Sequence, residues 1–181
     1  MAMEEGKSKI TTAELIKQLQ SGQPADKSKA LKKLSRVAGI RDLPAIVRVM
    51  AGFTDRDLLE EFTTFLSNIK SKEAPAVIAG FLSDPALAGI RLHLTRSCWE
   101  SQLDYSAHLM IFARLFITGD YGLAVEAFSV IENTCMEHPV DRTLIREINA
   151  LVSNSIPDQP ETKKRLVNEM LLVLKPFAEG D

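Results

Sequence analysis

The chain has 181 residues, 45% of them apolar, with a mean hydropathy of −0.01 and a formal net charge of −2. That size and balance fit one domain or a short repeat array with a sizeable core, and exclude a scaffold that needs disulfides or metals to hold it together. The lack of low-complexity tracts excludes disorder over most of the length.

Met1 to Lys9 is polar and charged and is expected to be a disordered tail, with the helical domain running over 10–181. No apolar stretch follows a basic start there, so no secretory leader is expected. The first third is basic: residues 1–50 hold ten Lys/Arg against five Asp/Glu, whereas residues 51–181 hold twelve against nineteen. Solvated helix faces account for this, and a polarised field toward a partner is the functional alternative. Further on, helical spacing recurs and no alternating apolar pattern bounded by hairpin turns interrupts it. Leu58, Leu59, Phe62, Phe65, Leu66 and Ile69 form one helix face after Asp55, a natural N-cap. Ala124, Ala127, Phe128, Ile131 and Cys135 repeat the pattern, as do Leu144, Ile145, Ile148, Leu151 and Val152 after Asp141. The last such set is Leu166, Met170, Val173 and Leu174.

Capping and breaking residues divide the chain into about ten predicted helices, at 11–20, 26–38, 42–51, 55–70, 73–82, 85–100, 104–118, 120–134, 140–154 and 160–177. Short connections predict antiparallel neighbours. The longest apolar run, Ala107 to Ile117, is broken by Arg114 and is too short to span a bilayer, so no membrane partner is expected. Alternate helices share a register. Asp42-Leu43-Pro44-Ala45, Glu73-Ala74-Pro75-Ala76 and Asp104-Tyr105-Ser106-Ala107 recur at 31-residue intervals, and Met50, Phe81 and Phe112 fall at one offset within them. An acid suits the positive end of the helix dipole, and proline suits a first turn that needs no N–H. A helix pair that repeats every 31–35 residues predicts an all-α solenoid of about five antiparallel pairs, right-handed, each stacked on the next.

Leu82-Ser83-Asp84-Pro85, followed by Gly89-Ile90-Arg91, resembles the inner-helix pattern of HEAT-like repeat proteins, with an Asp-Pro turn before a helix that carries Arg. Asp55-Arg56 and Asp120 begin weaker copies, and the resemblance covers roughly residues 40–135. It implies structural, repeat-packing roles for Asp84 and Arg91, a habit of binding protein or nucleic acid along a concave surface, and no reaction.

On such a solenoid the polar faces of 55–70, 85–100 and 120–134 would lie side by side. Glu60, Thr64 and Ser67, then His93, Arg96, Ser97 and Glu100, then Glu126, Ser129 and Asn133 would make a mostly acidic strip. A groove for a basic segment competes there with a plain solvated face, on which Arg96 and Glu100 form one i, i+4 pair worth about 0.3–0.5 kcal/mol. Trp99, the only tryptophan, shares a lane with Ala88, Leu92 and Thr95, beside the apolar stripe Leu87, Ile90, Leu94 and Cys98. A half-buried position at a helix end is expected for it; as an interface anchor it would be joined by Tyr105 and Tyr121.

Catalytic chemistry has little support. His93, His108 and His138 form no HExxH and no zinc spacing with a cysteine, so no metal or cofactor is expected; Glu137-His138 is one isolated pair. HEAT-like hydroxylases that hold iron or zinc would show repeated His-Glu dipeptides, and this chain has none. No phosphate loop and no nucleophile elbow is found. Cys98 and Cys135 read as buried, reduced thiols of a cytoplasmic protein. The basic stripe Lys27, Lys29, Lys32, Lys33, Arg36, Arg41 and Arg48 suits phosphates, yet no aromatic residue lies between Lys7 and Arg48 for base stacking. HEAT-like base-excision enzymes have markedly basic surfaces, unlike this chain with its pI of about 6.0. The expected function is therefore non-catalytic protein binding, through His93, Arg96, Trp99, Glu100, Tyr121, Glu126, Ser129 and Asn133.

Overall fold

The structure is a computed structural model that describes residues 10–179, so the expected tail at 1–9 lies outside the described residues. Among these, 81% are helical and none is in a strand. Contacts divide the chain into two compact units that part between Phe65 and Leu66.

The first unit holds α1 (Thr12–Ser21), α2 (Pro24–Val37), α3 (Leu43–Met50) and most of α4 (Arg56–Ser67). Thr11 starts α1 with a reciprocal cap: its hydroxyl accepts from the Glu14 amide at 3.3 Å, and the Glu14 carboxylate accepts from the Thr11 amide at 2.8 Å. Pro24 opens α2, where its missing donor costs nothing. Asp55 caps α4 as expected, accepting from the Leu58 amide at 2.9 Å. The helices bury Leu15, Leu19, Leu31, Leu34, Leu43, Ile46 and Met50, each worth roughly 1.5–3 kcal/mol. Two polar contacts pin the rim of this core. Ser28 donates to the Glu61 carboxylate at 2.7 Å, and the Lys27 ammonium sits 4.3 Å from the centre of the Phe53 ring.

The second unit holds α5 (Ala74–Leu82), α6 (Arg91–Ser101), α7 (Leu109–Thr118), α8 (Tyr121–Glu137), α9 (Arg142–Asn154) and α10 (Glu161–Glu179). α8 is its hub and packs on α6, α7 and α10, while α9 packs on α7 and α10, and α5 on α6. α6 and α8 lie start beside start and end beside end. Gly122 is close to Leu92 at one end, and Trp99 and Asn133 line one cavity at the other. Ile90, Leu94, Phe112, Phe116, Ala124, Ala127, Ile131, Ile148 and Met170 form the core. Tyr105 is buried with them, edge-on to Phe112 with 5.5 Å between ring centres.

The α7–α8 corner is tight. A side chain at Gly119 would sit 2.7 Å from the Leu115 carbonyl oxygen and 2.8 Å from Leu123, so contact rather than backbone conformation demands glycine. Asp120 then caps α8, accepting from the Leu123 amide at 2.9 Å. Lys163 of α10 closes the corner. Its buried ammonium donates to the carbonyls of Ile117 at 2.9 Å and Gly119 at 3.0 Å, and Gln159 adds a 3.3 Å bond to Ile117.

Three predicted starts differ. The span expected as a helix over 85–100 opens with a 3-10 turn, Pro85–Ile90, before α6; Ser106–His108 precedes α7 in the same way, and Ile40–Asp42 precedes α3. At the first two an aspartate satisfies an amide two residues on, Asp84 from Ala86 and Asp104 from Ser106, both at 2.9 Å, and bonds close at i+3 before the α pattern begins. Of the residues sharing the 31-residue register, Met50 and Phe112 are fully buried and Phe81 is half-buried.

Candidate functional site

The face shared by α6 and α8 begins with a cross-helix bond between two of its expected site residues. Trp99 is half-buried on α6, and its indole N–H donates to the Glu126 carboxylate of α8 at 2.7 Å. A charged acceptor shortens and strengthens such a bond. It fixes the plane of the ring, so the indole is a rigid wall rather than a loose rotor. One turn earlier, Arg96 donates to Glu100 at 3.0 Å, with 38% and 26% of the two side chains exposed. This i, i+4 pair is worth a few tenths of a kcal/mol.

The remaining expected residues divide by exposure. His93 is half-buried on α6. Ser129 and Asn133 turn back to their own helix: the Ser129 hydroxyl donates to Val125 at 3.1 Å, and the Asn133 amide donates to Ser129 at 2.8 Å. That leaves the Asn133 carbonyl oxygen as an acceptor. Tyr121 is 54% exposed at the start of α8, and Leu92, 39% exposed, lies near the same end of α6. Tyr105, expected to extend an aromatic patch, does not, because its ring is wholly buried. Asp84 and Arg91 meet at the α5–α6 junction. Arg91 donates to the Leu82 carbonyl at 3.1 Å and to the Asp84 main-chain oxygen at 3.4 Å, binding the end of α5 to the start of α6.

No protein-family model, curated protein or solved structure matches the chain.

At the far end of the same face lies a cavity of about 290 Å³, between the last turns of α6 and α8. Trp99, Gln102, Asn133, Glu137 and His138 supply its polar and aromatic lining, and Cys98 and Leu103 its apolar part. Gln102 ends α6 in the left-handed region at φ 57°, the one non-glycine residue among those described to do so. The Cys98 thiol is spent on the Leu94 carbonyl at 3.1 Å, and burial pushes its pKa up to about 12; Cys135 is pushed up to about 11 for the same reason. Both therefore stay protonated near neutral pH and are poor nucleophiles.

Sequence reasoning singled out Trp99 and Asn133, considered Glu137 only with His138 as an isolated pair for a metal, and gave Gln102 no role. Glu137 carried a readable signal. It is an acid in the last turn of a helix, at the negative end of the dipole, where stability alone favours Lys or Arg.

Proposed function

We propose that the chain is a non-catalytic interaction module that binds a protein partner on the face shared by α6 and α8, as a cytoplasmic scaffold or adaptor. The observation that carries this reading is the bond from Trp99 to Glu126, which preorganises an aromatic anchor beside carboxylates before any partner arrives. Preorganisation lowers the ordering cost of association, and aromatic anchors dominate binding energy where they are held rigid. The neighbouring Glu100 and Glu126 favour a basic segment.

The same reading takes the helices as layered antiparallel pairs of a right-handed HEAT-like solenoid. Support comes from helices two apart in sequence: α6 packs on α8 and α8 on α10, while α7 packs on α9. Two such rows are what stacked helix pairs produce. Asp84 and Arg91 would then set the junction between helices of one pair.

Affinity purification from the source cells, with the captured protein identified and its binding reconstituted, tests the reading. Glu100→Lys combined with Glu126→Lys should weaken capture at least about tenfold, equal to roughly 1.4 kcal/mol, with helical content unchanged. Undiminished capture removes the proposal.

A second reading rests on unit one, where α2 turns Lys29, Lys32, Lys33 and Arg36 to solvent. These would bind nucleic-acid phosphates, and affinity would then fall steeply with salt. Two features weaken it: Lys32 lies 3.5 Å from the Glu61 carboxylate, and Lys27 is engaged by Phe53. A gel shift at low salt decides it.

A further inference from the structure

We propose that the cavity at the common end of α6 and α8 is a receptor for a guanidinium group. This rests on the reading of that face as a partner surface and names the chemistry the partner would present.

Four observations converge on a planar cation. Both helices end at the cavity, so the partial negative charges of two sets of terminal carbonyls add there. Neither helix carries a basic residue in its own last turn; the Lys70 ammonium donates to the Ser101 carbonyl at the end of α6 at 3.1 Å, so it is the end of α8 that no lysine or arginine covers among the described residues. Glu137 adds a full negative charge; it is exposed and makes no ion pair among the described residues. Trp99 forms an aromatic wall whose plane Glu126 already fixes, and guanidinium is the cation that stacks on such a face while presenting its N–H groups in plane.

The acceptors suit that fork of donors. The Glu137 carboxylate takes two N–H groups side by side, and the side-chain carbonyls of Asn133 and Gln102 are further acceptors at the cavity wall. A volume of about 290 Å³ is at the low edge of the range for small-molecule sites, enough for a side-chain head group and too small for a nucleotide cofactor. Gln102 is held in a strained backbone region at this wall, where glycine would be the easy choice.

Trp99 is the only tryptophan, so its emission reports directly on the cavity. The test titrates the full chain with a capped glycine–serine peptide carrying one arginine, with the same peptide carrying citrulline, and with N-acetylarginine amide. The expected result is a saturable change in Trp99 emission with arginine at or below about 1 mM, absent with citrulline. Glu137→Gln, an exposed change that should leave the circular dichroism unaltered, weakens it about tenfold or more. A peptide tighter than the amide identifies a partner's side chain as the source, and equal affinities identify a small guanidinium compound. No saturable change with arginine, an equal response to citrulline, or an unaltered response in Glu137→Gln overturns the proposal. If Glu100→Lys with Glu126→Lys abolishes partner capture and the titration is silent, the cavity proposal alone falls. If the titration succeeds and capture is unaffected, the partner face falls and the cavity stands.

Discussion

Lys163 is a charged side chain that is 2% exposed, and its position follows from what it binds. Burial lowers its pKa, with Asp120 opposing that shift. The ammonium is kept because it binds the Ile117 carbonyl in the last turn of α7, whose other partner is the longer bond from Gln159, and the Gly119 carbonyl just beyond it; it also lies 5.5 Å from the centre of the Phe116 ring. Lys163→Met keeps the apolar stem and removes the donors. It should cost about 1–3 kcal/mol in urea denaturation, since hydrogen bonds from charged groups are the stronger kind and two half-buried carbonyls lose theirs, Ile117 keeping only the longer bond from Gln159. A loss under about 0.5 kcal/mol would mean those carbonyls find water instead. Nothing in the local sequence marks Lys163, because its partners lie 46 and 44 residues earlier. The bond from Trp99 to Glu126 spans 27 residues and was hidden in the same way, although Glu126 was legible on a polar helix face and Trp99 as a half-buried anchor beside one.

At the scale of the element, capping chemistry was readable wherever one side chain serves one nearby amide. Asp55, Asp120 and Asp141 each accept from an amide two or three residues on, at 2.8–2.9 Å, and each stands at a predicted start. The starts of α3, α6 and α7 were less legible. An acid followed by Pro or Ser marks the turn but does not say whether the next bonds close at i+3 or i+4. The α7–α8 corner permits a sharper statement. Gly119→Ala puts a methyl against the Leu115 carbonyl and the Leu123 side chain, and the backbone atom cannot yield as a flexible side chain would. A loss of about 1–3 kcal/mol is expected from overpacking, seen as a lower thermal midpoint with cooperativity retained. An unchanged midpoint would show that the corner opens freely.

For the molecule as a whole, composition and helical spacing predicted an all-helical class with about ten helices, and the described residues form ten α-helices, because amphipathic periodicity is local. The cavity was not legible: it arises where two helix ends distant in sequence meet. Buried thiols also set how the whole chain responds to alkali. Cys98 and Cys135 have pKa values raised by burial from 9.0 to about 12 and about 11, and Tyr105 is raised from 10.0 by burial first. A group whose folded pKa lies above its unfolded value stabilises fully below the unfolded value and loses that contribution as pH climbs toward the folded one. Each thiol should therefore cost about 1.4 kcal/mol per pH unit above pH 9, until its folded pKa is reached. Lys163 acts with the opposite sign. Its folded pKa is lowered, so stability rises with pH up to its unfolded value of 10.5, one group against two thiols. The urea midpoint should fall between pH 8 and pH 10.5, and Cys98→Ala with Cys135→Ala should flatten that fall. An equal slope in the double variant would place the alkaline sensitivity elsewhere.

The clasp on the α7–α8 corner has a consequence for the order in which the chain is made. Ile117 and Gly119 leave the ribosome well before Lys163, which must be synthesised and docked before their carbonyls acquire its donors. Until then the corner has only water to satisfy it. The α7–α8 corner of the second unit is thus finished by a later-emerging helix, α10, which locks together segments made earlier.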